Sequence, residues 1–172
     1  PTTLIVEGWF RASSVVGADM LYLRDGSNNT HFKLTRAVDG SNQVLRAWDA
    51  NNAQVGADWN IGSAVKWVHV GIKLVVGGAG TLTIKVDDTV WINAVSGDFL
   101  NGANAYVRRL AWNAGDTGAT RTYYDDWIWM DATGGVDDDF KGSGIHIVAS
   151  RSAAAGDSTQ WTPLAGSNYQ NV

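Results

Sequence analysis

Lys66-Trp67-Val68-His69-Val70-Gly71-Ile72-Lys73-Leu74-Val75-Val76 decides the fold. Val68, Val70, Ile72 and Leu74 fall on one side of an extended chain, and Trp67, His69, Gly71 and Lys73 on the other. That two-residue period is a strand with one face in a core. Gly77-Gly78-Ala79-Gly80 then turns the chain into Thr81 through Val86, where Leu82, Ile84 and Val86 alternate with Thr81, Thr83 and Lys85. Asp87-Asp88 turns it again, into Thr89-Val90-Trp91-Ile92.

The same pattern extends outward. Leu4 to Arg11 and Asp19 to Arg24 read as strands, the second ending in the turn Asp25-Gly26-Ser27-Asn28. His31 to Val38 and Gln43 to Trp48 form a hairpin around Asp39-Gly40. Asp49 to Gly62 is polar and irregular, the composition of a surface loop. Downstream, strands are expected over Ala105 to Trp112 and Tyr123 to Met130. Strict alternation in the latter sets Tyr124, Asp126, Ile128 and Met130 against Tyr123, Asp125, Trp127 and Trp129. A loop at Asp131 to Gly135 leads to Val136–Phe140, and Ile145 to Ala149 reads as a late strand. No segment holds a 3.6-residue apolar period over three turns. Hairpin-linked strands imply antiparallel sheets, and two such sheets face to face bury the alternating apolar sets. The expected fold class is an all-β, antiparallel two-sheet sandwich.

Composition agrees. There are 20 Gly, 9 Trp, 5 Tyr and 4 Phe but 2 Pro, and glutamate occurs once, at Glu7. Each buried Trp hides on the order of 150–250 Å², so several can anchor a core with no functional role. The 172 residues fit one domain. Without cysteine there is no disulfide and no thiolate metal site. The net charge of −4, with no basic run, argues against nucleic acid and anionic membranes as partners. The ends, Pro1-Thr2-Thr3 and Asn171-Val172, suggest a piece of a longer or processed polypeptide.

Trp67-Val68-His69-Val70 followed by Gly80-Thr81-Leu82-Thr83-Ile84-Lys85-Val86-Asp87-Asp88 resembles the concanavalin-A-like, laminin-G-type jelly roll, with Asp88 where that family usually has Gly. The later segments are Tyr123-Tyr124-Asp125-Asp126-Trp127-Ile128-Trp129-Met130-Asp131, Gly135 to Gly142, Ala155 to Pro163 and Ala165 to Tyr169. In that order they are similar to phage and prophage structural proteins carrying a concanavalin-like domain. The resemblance implies a jelly-roll sandwich of the lectin and glucanase type over 1–150. It implies a 151–172 extension packing on the sandwich or on a neighbouring subunit. It further implies a non-catalytic virion component (capsid decoration, head fibre or tail-associated) that meets other virion proteins as a homo-oligomer or through lattice contacts. Such a protein is assembled in the host cytoplasm and then becomes extracellular.

The residues offer little chemistry. Retaining glycoside hydrolysis needs two carboxylates roughly 5–5.5 Å apart, and the Glu-x-Asp-x-Glu motif of glucanases is impossible with one Glu. Asp125 and Asp126, if strictly alternating, face opposite sides. His31, His69 and His146 have no metal-ligand spacing and read as exposed or hydrogen-bonded strand residues. Asp137-Asp138-Asp139 offers clustered oxygens of the kind Ca²⁺ takes, but without the spacing of a dedicated loop. It reads as a solvated turn, with calcium as the alternative and no other cofactor expected. Trp161, Tyr169, Gln160 and Asn168 combine aromatic rings with amides. That mixture serves an inter-subunit contact, a glycan contact or internal packing. A carbohydrate-binding adhesion module, meeting cell-surface glycan through an aromatic-lined sheet, is the competing reading.

Overall fold

The computed structural model describes residues 1–12, 18–63, 65–112, 122–132 and 139–144. Within them the strands are β1 (Thr3–Ala12), β2 (Ala18–Arg24), β3 (Thr30–Asp39), β4 (Asn42–Trp48), β5 (Gln54–Gly62), β6 (Trp67–Val75), β7 (Gly80–Val86), β8 (Thr89–Gly97), β9 (Arg109–Trp112) and β10 (Thr122–Asp131). They form two antiparallel sheets of five, ordered β10-β1-β6-β7-β8 and β5-β4-β3-β2-β9. The chain is an all-β jelly-roll sandwich.

Alternation drives the packing. β7 is buried at every second residue. Val68, Val70, Ile72 and Leu74 of β6 meet Leu82, Ile84 and Val86 of β7 and, from the other sheet, Phe32, Leu34, Leu45 and Ala47 in one core. Aromatic contacts close both open sides of the sandwich. At one side Trp91 of β8 lies 6.3 Å from Trp59 of β5 and donates its indole N–H to the Ala57 carbonyl at 2.8 Å. At the other, Trp112 of β9 stacks at 4.4 Å and 4.5 Å on Trp127 and Tyr124 of β10.

The turns follow the sequence. Gly40 closes β3–β4 at φ 59, and Asp87 and Asp88 close β7–β8 at φ 47 and 62. Two positive values in succession match the right-handed twist of the flanking strands.

Three expectations need correction. Only the start of Asp49–Gly62 is a loop, held by the Asp49 carboxylate, which accepts the N–H groups of Asn51 and Ala53. The rest is edge strand β5, whose apolar period is broken by Gly56 at φ 75 and by a register shift opposite Leu45–Ala47. Of Ala105–Trp112 only Arg109–Trp112 is strand; Val107 instead donates to the Pro1 carbonyl. The alternation of Tyr123–Met130 breaks at a bulge. Trp9 pairs with Asp125 but Glu7 with Ile128, so two residues of β10 oppose Gly8. Tyr124, Trp127 and Trp129 therefore all pack on the core. Ile145–Ala149 and the 151–172 extension lie outside the described residues.

Candidate functional site

Strand register gives the β5–β9 sheet an ordered outer face. Tyr22 pairs with Lys33, Lys33 with Trp48, and Trp48 with Gln54. Cross-strand partners share a face, so these four side chains form one row across four strands. Strand spacing sets Tyr22 and Trp48 about 10 Å apart, with Lys33 between. The next row adds Thr35, Arg46 and Asp58, and on the other flank Arg24 pairs with Arg109.

Neighbours hold each of these groups. The Lys33 ammonium lies 5.3 Å from the Trp48 ring centroid, and the Trp48 indole N–H donates to Thr35 Oγ1 at 2.8 Å. The Arg24 guanidinium covers the Tyr22 ring at 4.3 Å and donates to Thr30 Oγ1 and Asn28 Oδ1. Arg46 grips Asp58 through Nε and Nη2, the shortest contact being 2.8 Å, and Gln54 donates to the same carboxylate. The Arg46 bonds hold the Asp58 carboxyl below its ordinary range. Burial, and then the hydroxyl's bond to Asp19, push the Tyr22 phenol up to about 12. The face is thus oriented before any ligand arrives, which removes part of the ordering cost of binding.

The outer face of the other sheet is half covered. The sole glutamate, Glu7, is fully buried, and its carboxylate accepts the backbone N–H groups of Lys141 (2.6 Å) and Gly142 (3.0 Å). Phe140 lies against Gly71, where an added Cβ would meet its ring at 2.7 Å. Ser143 bonds Asp88 through its N–H and hydroxyl. Residues 139–144 are therefore a strap tied across β1, β6 and the β7–β8 turn. His69 is buried beside Glu7, with Nε2 4.0 Å from Oε2 and no hydrogen-bond partner at either ring nitrogen. Burial pushes its imidazole pKa down, against the pull of Glu7. His31 is the hydrogen-bonded histidine that was expected. Its Nδ1 accepts the Asn101 N–H, so Nε2 carries the proton toward the Tyr106 carbonyl.

Beyond the strap, the same face holds a pocket of about 270 Å³ lined by Trp9, Trp67, Asp125 and Asp126. The β10 bulge, with Asp126 at φ 50, turns both carboxylate residues toward it, contrary to simple alternation. Consecutive residues still approach a ligand from one side, so they do not flank a scissile bond in the manner of a glycosidase pair.

Trp161, Tyr169, Gln160 and Asn168 lie outside the described residues, as do His146, Asp137 and Asp138. Asp139 accepts the Phe140 N–H. Among the described residues no three His, Asp or Glu gather as a metal site. Sequence reading passed over the Tyr22–Lys33–Trp48–Gln54 row because each member is merely an off-core position of its own strand. The available signal was that every one of these off-core positions is aromatic, cationic or amide.

No protein-family model matches the chain, and no curated protein matches it in sequence. Solved structures do share its fold. The alginate lyase Aly36B is similar over 75% of this chain and 69% of its own, at TM-score 0.51 and 10% identity. A tetrameric galectin from Cinachyrella sp., a ball sponge, is similar over 75% and 92%, at TM-score 0.50 and 13% identity. An enzyme and a lectin thus share this architecture, and function must be argued from the site.

Proposed function

We propose that this chain is a non-catalytic binding module that holds glycan on the outer face of the β5–β9 sheet. The observation that carries the reading is the single row Tyr22–Lys33–Trp48–Gln54, flanked by Arg24, Arg46 and Asp58. The ring surfaces that Arg24 and Lys33 leave uncovered would accept the C–H faces of a pyranose, and the amide, guanidinium and carboxylate groups would fix its hydroxyls. Arg24, Lys33, Arg46 and Arg109 outnumber Asp19, Asp39 and Asp58 by one, which tilts the face toward sugars carrying carboxylates. The non-catalytic part of the reading is supported by Glu7, whose carboxylate is taken up by the strap. The resemblance to phage structural proteins suggests that the module is displayed on a virion, where holding glycan means host attachment.

The test is a glycan array followed by calorimetry on the best ligand. Trp48→Ala should weaken binding at least tenfold, on the order of 1.4 kcal/mol, while the protein stays folded with a melting temperature lowered by the loss of the half-buried indole and its bond to Thr35. Silence on the array, or a Trp48→Ala protein that binds as before, overturns the assignment to this face.

A further inference from the structure

We infer that the strap, residues 139–144, is a proton-released latch that lifts from the outer face of its sheet when His69 takes up a proton. It lies on the sheet opposite the proposed glycan face and does not depend on that reading. The three ties of the strap surround His69. Phe140 lies against Gly71, two residues along the same face of β6. Glu7, which accepts the Lys141 and Gly142 N–H groups, has Oε2 4.0 Å from His69 Nε2. Ser143 bonds Asp88, whose neighbour Asp87 exchanges hydrogen bonds with the His69 backbone at 2.9 Å in each direction. That exchange fixes the His69 backbone, so a new charge on the ring must be answered by side chains and by the strap.

The two buried histidines differ in what a proton would do. His31 has a partner at each ring nitrogen. His69 is 1% exposed and has none at either, and the Trp9 indole N–H, on a ring that meets it edge-on at 5.3 Å, is unpartnered too. An imidazolium must donate twice. Among the described residues, the charged groups around it are Glu7 from β1, Asp87 and Asp88 from the β7–β8 turn, Lys85 from β7, and Asp139 and Lys141 from the strap, with Asp125 one strand further, across Trp9. Asp87 is engaged by the His69 N–H and by Lys66, Asp88 by Ser143, and the Lys85 ammonium lies over the Phe140 ring. Glu7 is left as the acceptor, and its oxygen nearest His69 is the one that Gly142 donates to. A proton on Nε2 therefore competes with the strap for Glu7, and the N–H at Nδ1 reaches solvent only when the strap lifts. Burial outweighs the attraction of Glu7, Asp88 and Asp87 and holds the imidazole pKa below its ordinary value while the strap is closed. Once the strap is open, the ring is hydrated and its pKa returns toward about 6.5. The lower pKa belongs to the closed form, so protons favour the open one, increasingly as pH falls below about 6.5.

The experiment is amide hydrogen exchange on the full chain from about pH 7.5 to about pH 5, above the range in which ordinary carboxylates titrate, with intrinsic rates divided out. Protection at Lys141 and Gly142 should fall severalfold on acidification, about tenfold per pH unit being the ceiling for one proton. The β7 amides should keep their protection, which separates opening of the strap from unfolding of the sandwich. His69→Gln should make protection of the strap independent of pH. Should that variant fail to fold, the reciprocal measurement decides. Phe140→Ala loosens the strap without adding or removing a charge, so it should raise the His69 pKa, read by NMR, toward the ordinary value. Strap protection that stays flat or rises on acidification overturns the latch. So does a loss shared equally by β7, a loss that persists in His69→Gln, or a His69 pKa that Phe140→Ala leaves unmoved.

Discussion

Glu7→Gln should release the strap. The carboxylate is fully buried and accepts two backbone N–H groups, from Lys141 at 2.6 Å and Gly142 at 3.0 Å. Hydrogen bonds to a charged group are each worth about 1.5–3 kcal/mol. An amide keeps one oxygen for one of these donors and turns an NH₂ toward the other, so one bond is lost and the survivor is no longer charge-assisted. The relief of not burying a charge offsets part of that, leaving a net loss of about 2–3 kcal/mol. For a chain of this size the melting temperature should fall by about 4–12 °C if the strap unfolds with the sandwich. If the strap opens by itself, the loss appears locally instead. The deciding assay is therefore amide hydrogen exchange at Lys141 and Gly142, read alongside near-ultraviolet thermal melts. Phe140→Ala removes the ring that lies on Gly71 and should couple to Glu7→Gln by about 0.5–3 kcal/mol, because a strap already lifted has less to lose. Unchanged protection at both amides, or strict additivity of the two substitutions, would refute the claim that Glu7 holds the strap.

Gly8→Ala would place a Cβ 2.3 Å from Trp127 Cδ2, on an indole tied to the Trp9 carbonyl at 2.7 Å. It should destabilise by about 1–3 kcal/mol or more in urea titration. His31 and His69 both have imidazole pKa values pushed down by burial, so the unfolded chain binds more protons than the folded one as pH falls below the ordinary histidine range. Their contribution is fully present above about pH 6.5 and is lost as pH drops toward the folded values. His69→Gln should flatten part of that slope in a series of melts. Asp58→Ala should leave Arg46 without its bidentate partner and lower affinity in the glycan titration more than stability, since both side chains are about a third exposed.

Local alternation determined most of the fold. The periods in Trp67–Val75 and Gly80–Val86 mark their core faces, because on a strand a side chain's face depends only on parity. The turns at Gly40 and at Asp87-Asp88 were equally legible, since glycine and aspartate tolerate the positive φ that a tight hairpin demands. The all-β class, the antiparallel pairing and the roles of several tryptophans as packing residues required nothing beyond this.

Whatever depended on a partner far along the chain was decided by tertiary structure. The β10 bulge exists because Gly8 lets Trp127 lie on β1, and it reverses the parity of every residue after Asp125 relative to simple alternation. Strand β5 was hidden because an edge strand needs few apolar residues, and Gly56 breaks even that short pattern. The outer-face row is invisible until register sets Tyr22, Lys33, Trp48 and Gln54 side by side. Glu7, noted in the sequence only as the single glutamate that rules out a Glu-x-Asp-x-Glu motif, is a structural anchor because its hydrogen-bond donors arrive from a segment more than a hundred residues away. Parity is a property of neighbours in sequence. Register and hydrogen-bond partners are properties of segments that meet only once the chain has folded.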